Sequence, residues 1–325
     1  MTQIESTTHC VEAIAPSSRT FLDFPLATDL SALNADIAIL GIPFGLPYSA
    51  DGLANDQSRA PDALRRFPID ADIAYTRQHY DFDLGGTLLD DRDIRVVDCG
   101  NVRGDRADPR QHYANAEAAA RAIFERRATL ISLGGDHGVP IPVLRALEVF
   151  GREITLVQID AHLDWREDIN GEREGYSSPM RRASEMPWIA NIVQIGLRGI
   201  GSARAPEVND ARAYGATLLD AYTVHERGIP WVLEQIPDDK PIYLTVDADG
   251  LDPSIMPGVI AQTPGGLNWV QIRQLVHGLV NKNRLLGMDL VEIAPSRDVG
   301  DTTLIHAERL LCNVIGACVR ANYYR

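Results

Sequence analysis

The 325-residue sequence has little cysteine, no long apolar run and a deficit of positive charge, and each shortage narrows what the chain can be. Its four cysteines, Cys10, Cys99, Cys312 and Cys318, are scattered and form no CxxC pair. Neither a disulfide framework nor a thiolate zinc site is indicated, and the thiols read as buried or incidental. No apolar stretch approaches the roughly 20 residues that span a bilayer. The opening MTQIESTTHC lacks the basic, apolar, then small-residue order of a signal peptide, so the expectation is a cytoplasmic chain with no membrane partner. A formal net charge of -14 argues against binding nucleic acid through bulk electrostatics and leaves a small cationic substrate open. Internal repeats, low-complexity tracts and Pro/Gly/Ser-biased linkers are also missing. The simplest organisation is an N-terminal arm over 1–34 and one domain over 35–325.

What is present is a 45% hydrophobic composition, enough for a sizeable core. Short apolar strands alternate with helical stretches, the pattern of βαβ units in an α/β fold with a mostly parallel sheet. The strand candidates are 36–42, 94–100, 128–135, 154–160, 191–199, 241–249 and 285–293. DPRQHYANAEAAARAIFERR predicts the clearest helix: Asp108 caps, Pro109 suits the first turn and an alanine-rich interior follows. PFGLPYSADGLANDQSRAPDALRR (43–66) reads as a long loop leading to a short helix, and long loops in compact domains are often functional.

Three strands end in unusual chemistry. ISLGGDHG ends in Asp136 and His137, LVQIDAHLD in Asp160, His162 and Asp164, and YLTVDADGLDP in Asp247 and Asp249, with Asp252 beyond. Side chains along a strand alternate faces, so each set projects together wherever the extended geometry persists. Ligands of open parallel sheets bind beyond the carboxyl ends of the strands. Several carboxylates gathered at one buried site repel and titrate upward unless cations compensate them, and two divalent metals would do so. Imidazole and carboxylate ligands without thiolate favour manganese, nickel, cobalt or iron(II).

GGDH (134–137), DAHLD (160–164) and DADGLDP (247–253) resemble the three signature motifs of the ureohydrolase family, which contains arginases and agmatinases. ADIAILGIPFG (35–45), RAPDALR (59–65) and DLVEIAPSRD (289–298) extend the likeness over most of the chain. The resemblance implies a three-layer α/β/α sandwich around a parallel sheet of about eight strands, assembled as trimers or hexamers. It implies that His137, Asp160, Asp164 and Asp247 bind one metal, and that Asp160, His162, Asp247 and Asp249 bind the other. The activity implied is binuclear hydrolysis of a guanidino C–N bond, releasing urea and an amine, with Mn(II) or Ni(II) as the ions. In that scheme Asp164 takes the proton of the attacking hydroxide and passes it to the leaving nitrogen, and Glu292 orients the guanidinium.

The departures from the family pattern cluster after the second motif. Tyr176 stands where agmatinase-like members carry a histidine that assists proton transfer, and Gly138 replaces the usual serine after GGDH. Tyr176, Asp168 and His306 are the substitutes considered for that histidine, with Tyr176 also read as packing against substrate. Trp165 is read as a stacking surface for a planar cation. Glu167, Asp168, Glu172 and Glu174 are carboxylates that could meet a charged tail or stand as solvated loop. The expected substrate is a decarboxylated, simple or N-alkylated guanidine. Kept beside it are a biguanide or guanylurea hydrolase, a non-catalytic subunit supporting an active paralogue in a hetero-oligomer, and a one-zinc amide hydrolase of the histone deacetylase type.

Overall fold

A computed structural model describes residues 14–49, 55–105, 107–201 and 203–324. Cys10, the first 13 residues of the arm and residues 50–54 of the long loop lie outside the described residues. Among the described residues nine strands form one sheet: β1 (Ile14–Ala15), β2 (Ile37–Ile42), β3 (Val96–Val102), β4 (Thr129–Gly134), β5 (Ile154–Ile159), β6 (Ile189–Leu197), β7 (Thr217–Asp220), β8 (Ile242–Asp247) and β9 (Leu285–Val291). Their order is β1-β3-β2-β4-β9-β8-β5-β6-β7, with β1 alone antiparallel. All seven strand candidates are present. The two additions, β1 and β7, are edge strands of two and four residues, too short to carry a readable period.

Eight α-helices among the described residues cover the sheet: α1 (Ala60–Asp70), α2 (Pro109–Glu125), α3 (Pro140–Ala146), α4 (Pro179–Ala183), α5 (Ala205–Tyr214), α6 (Ala221–Glu234), α7 (Trp269–Lys282) and α8 (Thr302–Arg320). The period of two along the strands divides the interior into two cores. Ile37 and Ile39 of β2 pack with α1, α6, α7 and α8, while Ala38 and Leu40 pack with α2 to α5. The result is the three-layer α/β/α arrangement expected. Asp108 caps α2 by accepting from the Gln111 N–H at 3.0 Å, and that helix carries the chain from β3 to β4. No helix among the described residues is long and apolar enough to cross a membrane.

The arm is not loose where it is described. β1 pairs with β3 along the sheet edge, and the Phe21 N–H donates to the Asp98 carboxylate at 2.9 Å. Asp98 also holds the fully buried Arg65 guanidinium through two hydrogen bonds of 2.8 and 3.0 Å, so one buried ion pair ties arm, β3 and α1 together. The four central strands, β4, β9, β8 and β5, are adjacent, and their carboxyl ends open at the same edge.

Candidate metal centre

The candidate residues follow those four strand ends directly. His137 stands three residues after β4, Asp160 directly after β5, Asp247 at the last position of β8 and Glu292 directly after β9. Strand alternation does not bring them together, because the extended geometry stops at Ile159. Residues 160–164 form a bend in which the His162 N–H donates to Asp160 Oδ1 at 2.6 Å, and Asp164 takes a left-handed backbone conformation, φ 52°. Asp249 lies on a single 3-10 turn whose own N–H donates to Asp247 Oδ1 at 2.8 Å. Glu292 is also left-handed, φ 65°. Non-glycine residues held there cost of order 1–3 kcal/mol each and persist where surrounding structure imposes them. The Asp164 carbonyl receives the Met180 N–H at 3.1 Å, which anchors the bend to the start of α4.

Three carboxylate oxygens, from Asp160, Asp164 and Asp247, each lie 3.0 Å from His137 Nδ1. Nδ1 is buried and makes a regular hydrogen bond with none of them. Beside this group, His162 Nδ1 lies 3.4 Å from Asp160 Oδ1 and 3.2 Å from Asp249 Oδ2. Two sets of cation-competent atoms result, His137–Asp160–Asp247 and Asp160–His162–Asp249, each within 4.8 Å and sharing Asp160. Asp247 belongs to the first set only, its second oxygen being engaged by the Asp249 N–H.

Burial pushes the Asp247 carboxyl well above its ordinary range, helped by the charges of Asp249 and Asp160. Burial and the Asp160 charge raise Asp164 to about 7. Burial opposes charge on the imidazoles, yet the attraction of the surrounding aspartates wins: His137 is held well above its usual value and His162 at about 12. No arginine or lysine nitrogen lies within 4.0 Å of these four carboxylates among the described residues. A nitrogen ringed by three oxygens, in a donor set of hard carboxylates and imidazoles, suits divalent cations.

A polar row beneath the site escaped the sequence reading. Ser132, Asp289, Thr245, Gln158 and Gln194 are register partners across β4, β9, β8, β5 and β6, and all five are fully buried. Gln194 donates to Gln158 at 2.5 Å, and Gln158 donates to Asp160 at 2.6 Å. His137 Nε2 meets Thr245 Oγ1 at 3.0 Å, and Thr245 donates to Asp289 Oδ1 at 2.6 Å. The signal was there: a polar residue stands two places before Asp160 and before Asp247, inside strands that are mostly apolar. Arg198 was missed as well; buried, it donates to the backbone carbonyls of Gly196, Asp249, Gly250 and Thr263, among others, and so fixes the β8 loop.

Above the aspartates is a cavity of about 610 Å³ whose lining includes Gln57, Asp136, Tyr176, Glu292 and Arg297. The Glu292 carboxylate is pinned on both oxygens, by the His137 N–H at 2.8 Å and by Gln57 Nε2 at 2.9 Å. Burial and the Asp136 charge raise it to about 7. Tyr176 is 45% exposed and stands edge-on to Tyr48, ring centroids 4.7 Å apart.

Several expectations need correction. Trp165 is 1% exposed, packs against Tyr214 at 5.7 Å in the core and does not line the cavity, so it offers no stacking surface. Asp168 closes a surface turn by accepting from the Gly171 N–H, and His306 packs on Trp269 and bonds the Thr302 carbonyl on α8; neither lines the cavity. Glu167, Glu172 and Glu174 are paired with arginines, Glu167 with Arg173, Arg181 and Arg182, Glu172 with Arg110, and Glu174 with Arg145. Gly138 has a local reason to lack a side chain: a Cβ there would lie 2.9 Å from Asp136 Oδ1 and 3.3 Å from the Glu174 carbonyl.

Residues 35–316 match the Arginase family. An agmatinase from Photorhabdus laumondii is 32% identical over 290 residues, covering 88% of each chain. The fold superposes with a TM-score of 0.77 on a hypothetical agmatinase from Burkholderia thailandensis, 27% identical, over 94% of this chain and 91% of that one. It also superposes with a TM-score of 0.77 on a proclavaminate amidino hydrolase from Streptomyces clavuligerus, covering 94% and 98%, a likeness of fold at 24% identity. The chain belongs to the arginase family, hydrolases that act on carbon–nitrogen bonds of linear amidines.

Proposed function

We propose that this chain hydrolyses a guanidino C–N bond with two divalent cations, manganese or nickel, held by His137, Asp160, His162, Asp164, Asp247 and Asp249, and releases urea and an amine. The observation that carries this reading is the pair of donor sets sharing Asp160 on the floor of a cavity that Glu292 also lines. Bound there, the cations offset the buried carboxylates and lower the pKa of a water, which supplies the nucleophile.

This chain's residues supply the rest. The Glu292 carboxylate, immobilised by His137 and Gln57, accepts N–H bonds from the guanidinium and sets its plane. Asp164, locked by its backbone conformation, accepts the proton of the attacking water and returns it to the departing nitrogen. Tyr176, backed edge-on by Tyr48, forms an aromatic wall for the substrate's alkyl part. The substrate is a decarboxylated, simple or N-alkylated guanidine, in line with the agmatinases among the relatives, and the assembly is a homo-oligomer, a trimer or hexamer. The relatives lend no support to the biguanide or guanylurea readings or to a non-catalytic subunit.

The test is urea release by protein loaded with manganese and, separately, with nickel, against agmatine, 4-guanidinobutyrate, arginine, guanidine, guanylurea and dimethylbiguanide. Turnover of an alkyl guanidine with one metal is the expected result. Silence across the panel from protein holding two ions per chain would overturn the assignment.

A further inference from the structure

His137 stands between two sets of acceptors. On one side Nδ1 faces the carboxylates of Asp160, Asp164 and Asp247 at 3.0 Å each. On the other, Nε2 lies 3.0 Å from Thr245 Oγ1. To give a lone pair to a cation His137 must shed its extra proton and become a neutral imidazole, which keeps one proton, and which nitrogen holds it is decided by what each side accepts. Three carboxylates are stronger acceptors than one hydroxyl. Left to them alone, the proton would sit on Nδ1, and the nitrogen facing the aspartates would have no lone pair to give a cation.

Counting the Thr245 proton reverses that outcome. The threonine hydroxyl has a single hydrogen, and the 2.6 Å contact with Asp289 Oδ1 assigns it to that carboxylate. Only lone pairs remain to face His137, so Nε2 must be the protonated nitrogen. Donation to a carboxylate polarises the hydroxyl and strengthens its oxygen as an acceptor. The arrangement is dictated by strand register: Thr245 of β8 and Asp289 of β9 are direct partners, and both are fully buried, so water does not compete.

We propose that Thr245 and Asp289 form a buried relay that holds the proton of His137 on Nε2 and thereby makes Nδ1 the cation-binding nitrogen. Thr245 and Asp289 are positioning residues; neither touches substrate or cation. The proposal rests on the metal reading above, and it assigns the relay to the His137 set alone, leaving His162 outside it.

The experiment is a calorimetric titration of the chelated, full-length protein with manganese. The parent should bind two ions per chain. Thr245→Val keeps the shape and removes the hydroxyl; one of the two binding steps should weaken by roughly 10–100-fold, as expected for loss of a ligand's supporting partner, while the other changes far less. Thr245→Ser restores the hydroxyl and should bring the weakened step back. Asp289→Asn leaves a neutral, poorer acceptor and should weaken the same step by less than Thr245→Val does. A merely structural role would lower metal-free thermal stability, and both steps together, without rescue by serine. Unchanged binding in both Thr245→Val and Asp289→Asn, from a parent that binds two ions, overturns the relay alone, and if Thr245→Val fails to fold, Asp289→Asn decides. A parent that binds neither manganese nor, in a parallel titration, nickel overturns the metal reading and the relay with it.

Discussion

The aspartates at the ends of β5 and β8 and the glutamates of the loop after β5 are the same chemical group in opposite surroundings. Glu167, Glu172 and Glu174 each meet at least one arginine supplied by the loop itself or a neighbouring helix. Asp160, Asp164, Asp247 and Asp249 are buried and face two imidazoles, and their carboxylates meet no arginine or lysine nitrogen within 4.0 Å among the described residues; Arg198 reaches only the Asp249 backbone carbonyl. In the loop the protein brings its own counter-charges, and such exposed pairs contribute little stability. At the strand ends it leaves carboxylates under-compensated in a low-dielectric site, which makes sense only where an outside cation completes them. Uncompensated burial, more than acidity, marks the functional cluster.

The sharpest way to break this contrast is to remove the shared carboxylate. Asp160→Asn takes away the one residue common to both donor sets, so bound metal and kcat/KM should fall together, kcat/KM by more than about a hundredfold, beyond the loss a supporting partner causes. Metal content measured on the purified variant checks it, and two ions per chain retained would sink the ligand assignment.

A second test reads the same repulsion as pH dependence in metal-free protein. Asp164 and Glu292, raised to about 7 mainly by burial, hold protons when folded that the unfolded chain has released. The folded state therefore binds more protons from the ordinary carboxylate range up to about 7, and stability falls as pH rises across that window. The raised imidazoles of His137 and His162 add the same sign above the unfolded imidazole value, since their stabilisation is fully present below it and is lost as pH rises through the folded value. Asp160, held low, acts in the opposite sense only below the ordinary carboxylate range. Melting temperatures of chelated protein should drop from pH 5 to pH 8. Added manganese should recover more at pH 8 than at pH 5, the stabilisation being about 2.7 kcal/mol per site wherever it stands at a hundred times the dissociation constant. A flat or rising profile in the chelated protein would contradict the account.

Glu292→Gln should act on substrate more than on metal. Loss of one charge-assisted contact costs about 1.5–3 kcal/mol, so kcat/KM should fall by roughly 10- to 150-fold with metal content kept. Steady-state kinetics beside metal analysis separates this from a ligand's behaviour.

How much of this contrast could be seen in the sequence depends on distance along the chain. The seven central strands and the α2 cap were legible because apolar runs, Asp108 and Pro109 act within one element. The six candidate donors were legible as residue types at strand ends. How they converge was not: strand alternation was the expected device, whereas bends, a 3-10 turn and left-handed Asp164 and Glu292 carry it out. Trp165 was misplaced because an aromatic beside a ligand motif looks the same whether it faces cavity or core, and only packing against Tyr214 decides. Gln158, Thr245 and Asp289 were missed because their meaning lies in register across neighbouring strands, which no single segment reveals.

The smallest expected effect tests the other half of the comparison. Glu172 pairs with Arg110 at 2.8 Å, with the arginine 69% exposed, and its carboxylate also receives the Glu174 N–H at 3.0 Å. Glu172→Gln keeps an acceptor for that N–H and removes only the charge. Solvent screening and the side-chain entropy of the exposed arginine leave such a pair within about 0–1 kcal/mol, so the melting temperature should move by no more than a few degrees. Activity and metal content should stay at parent level, because the loop's charges are settled among themselves and do not reach into the cavity. A large rise in KM for a cationic guanidine in this variant would show that the loop carboxylates do meet the substrate, and would erase the distinction between the two acidic clusters.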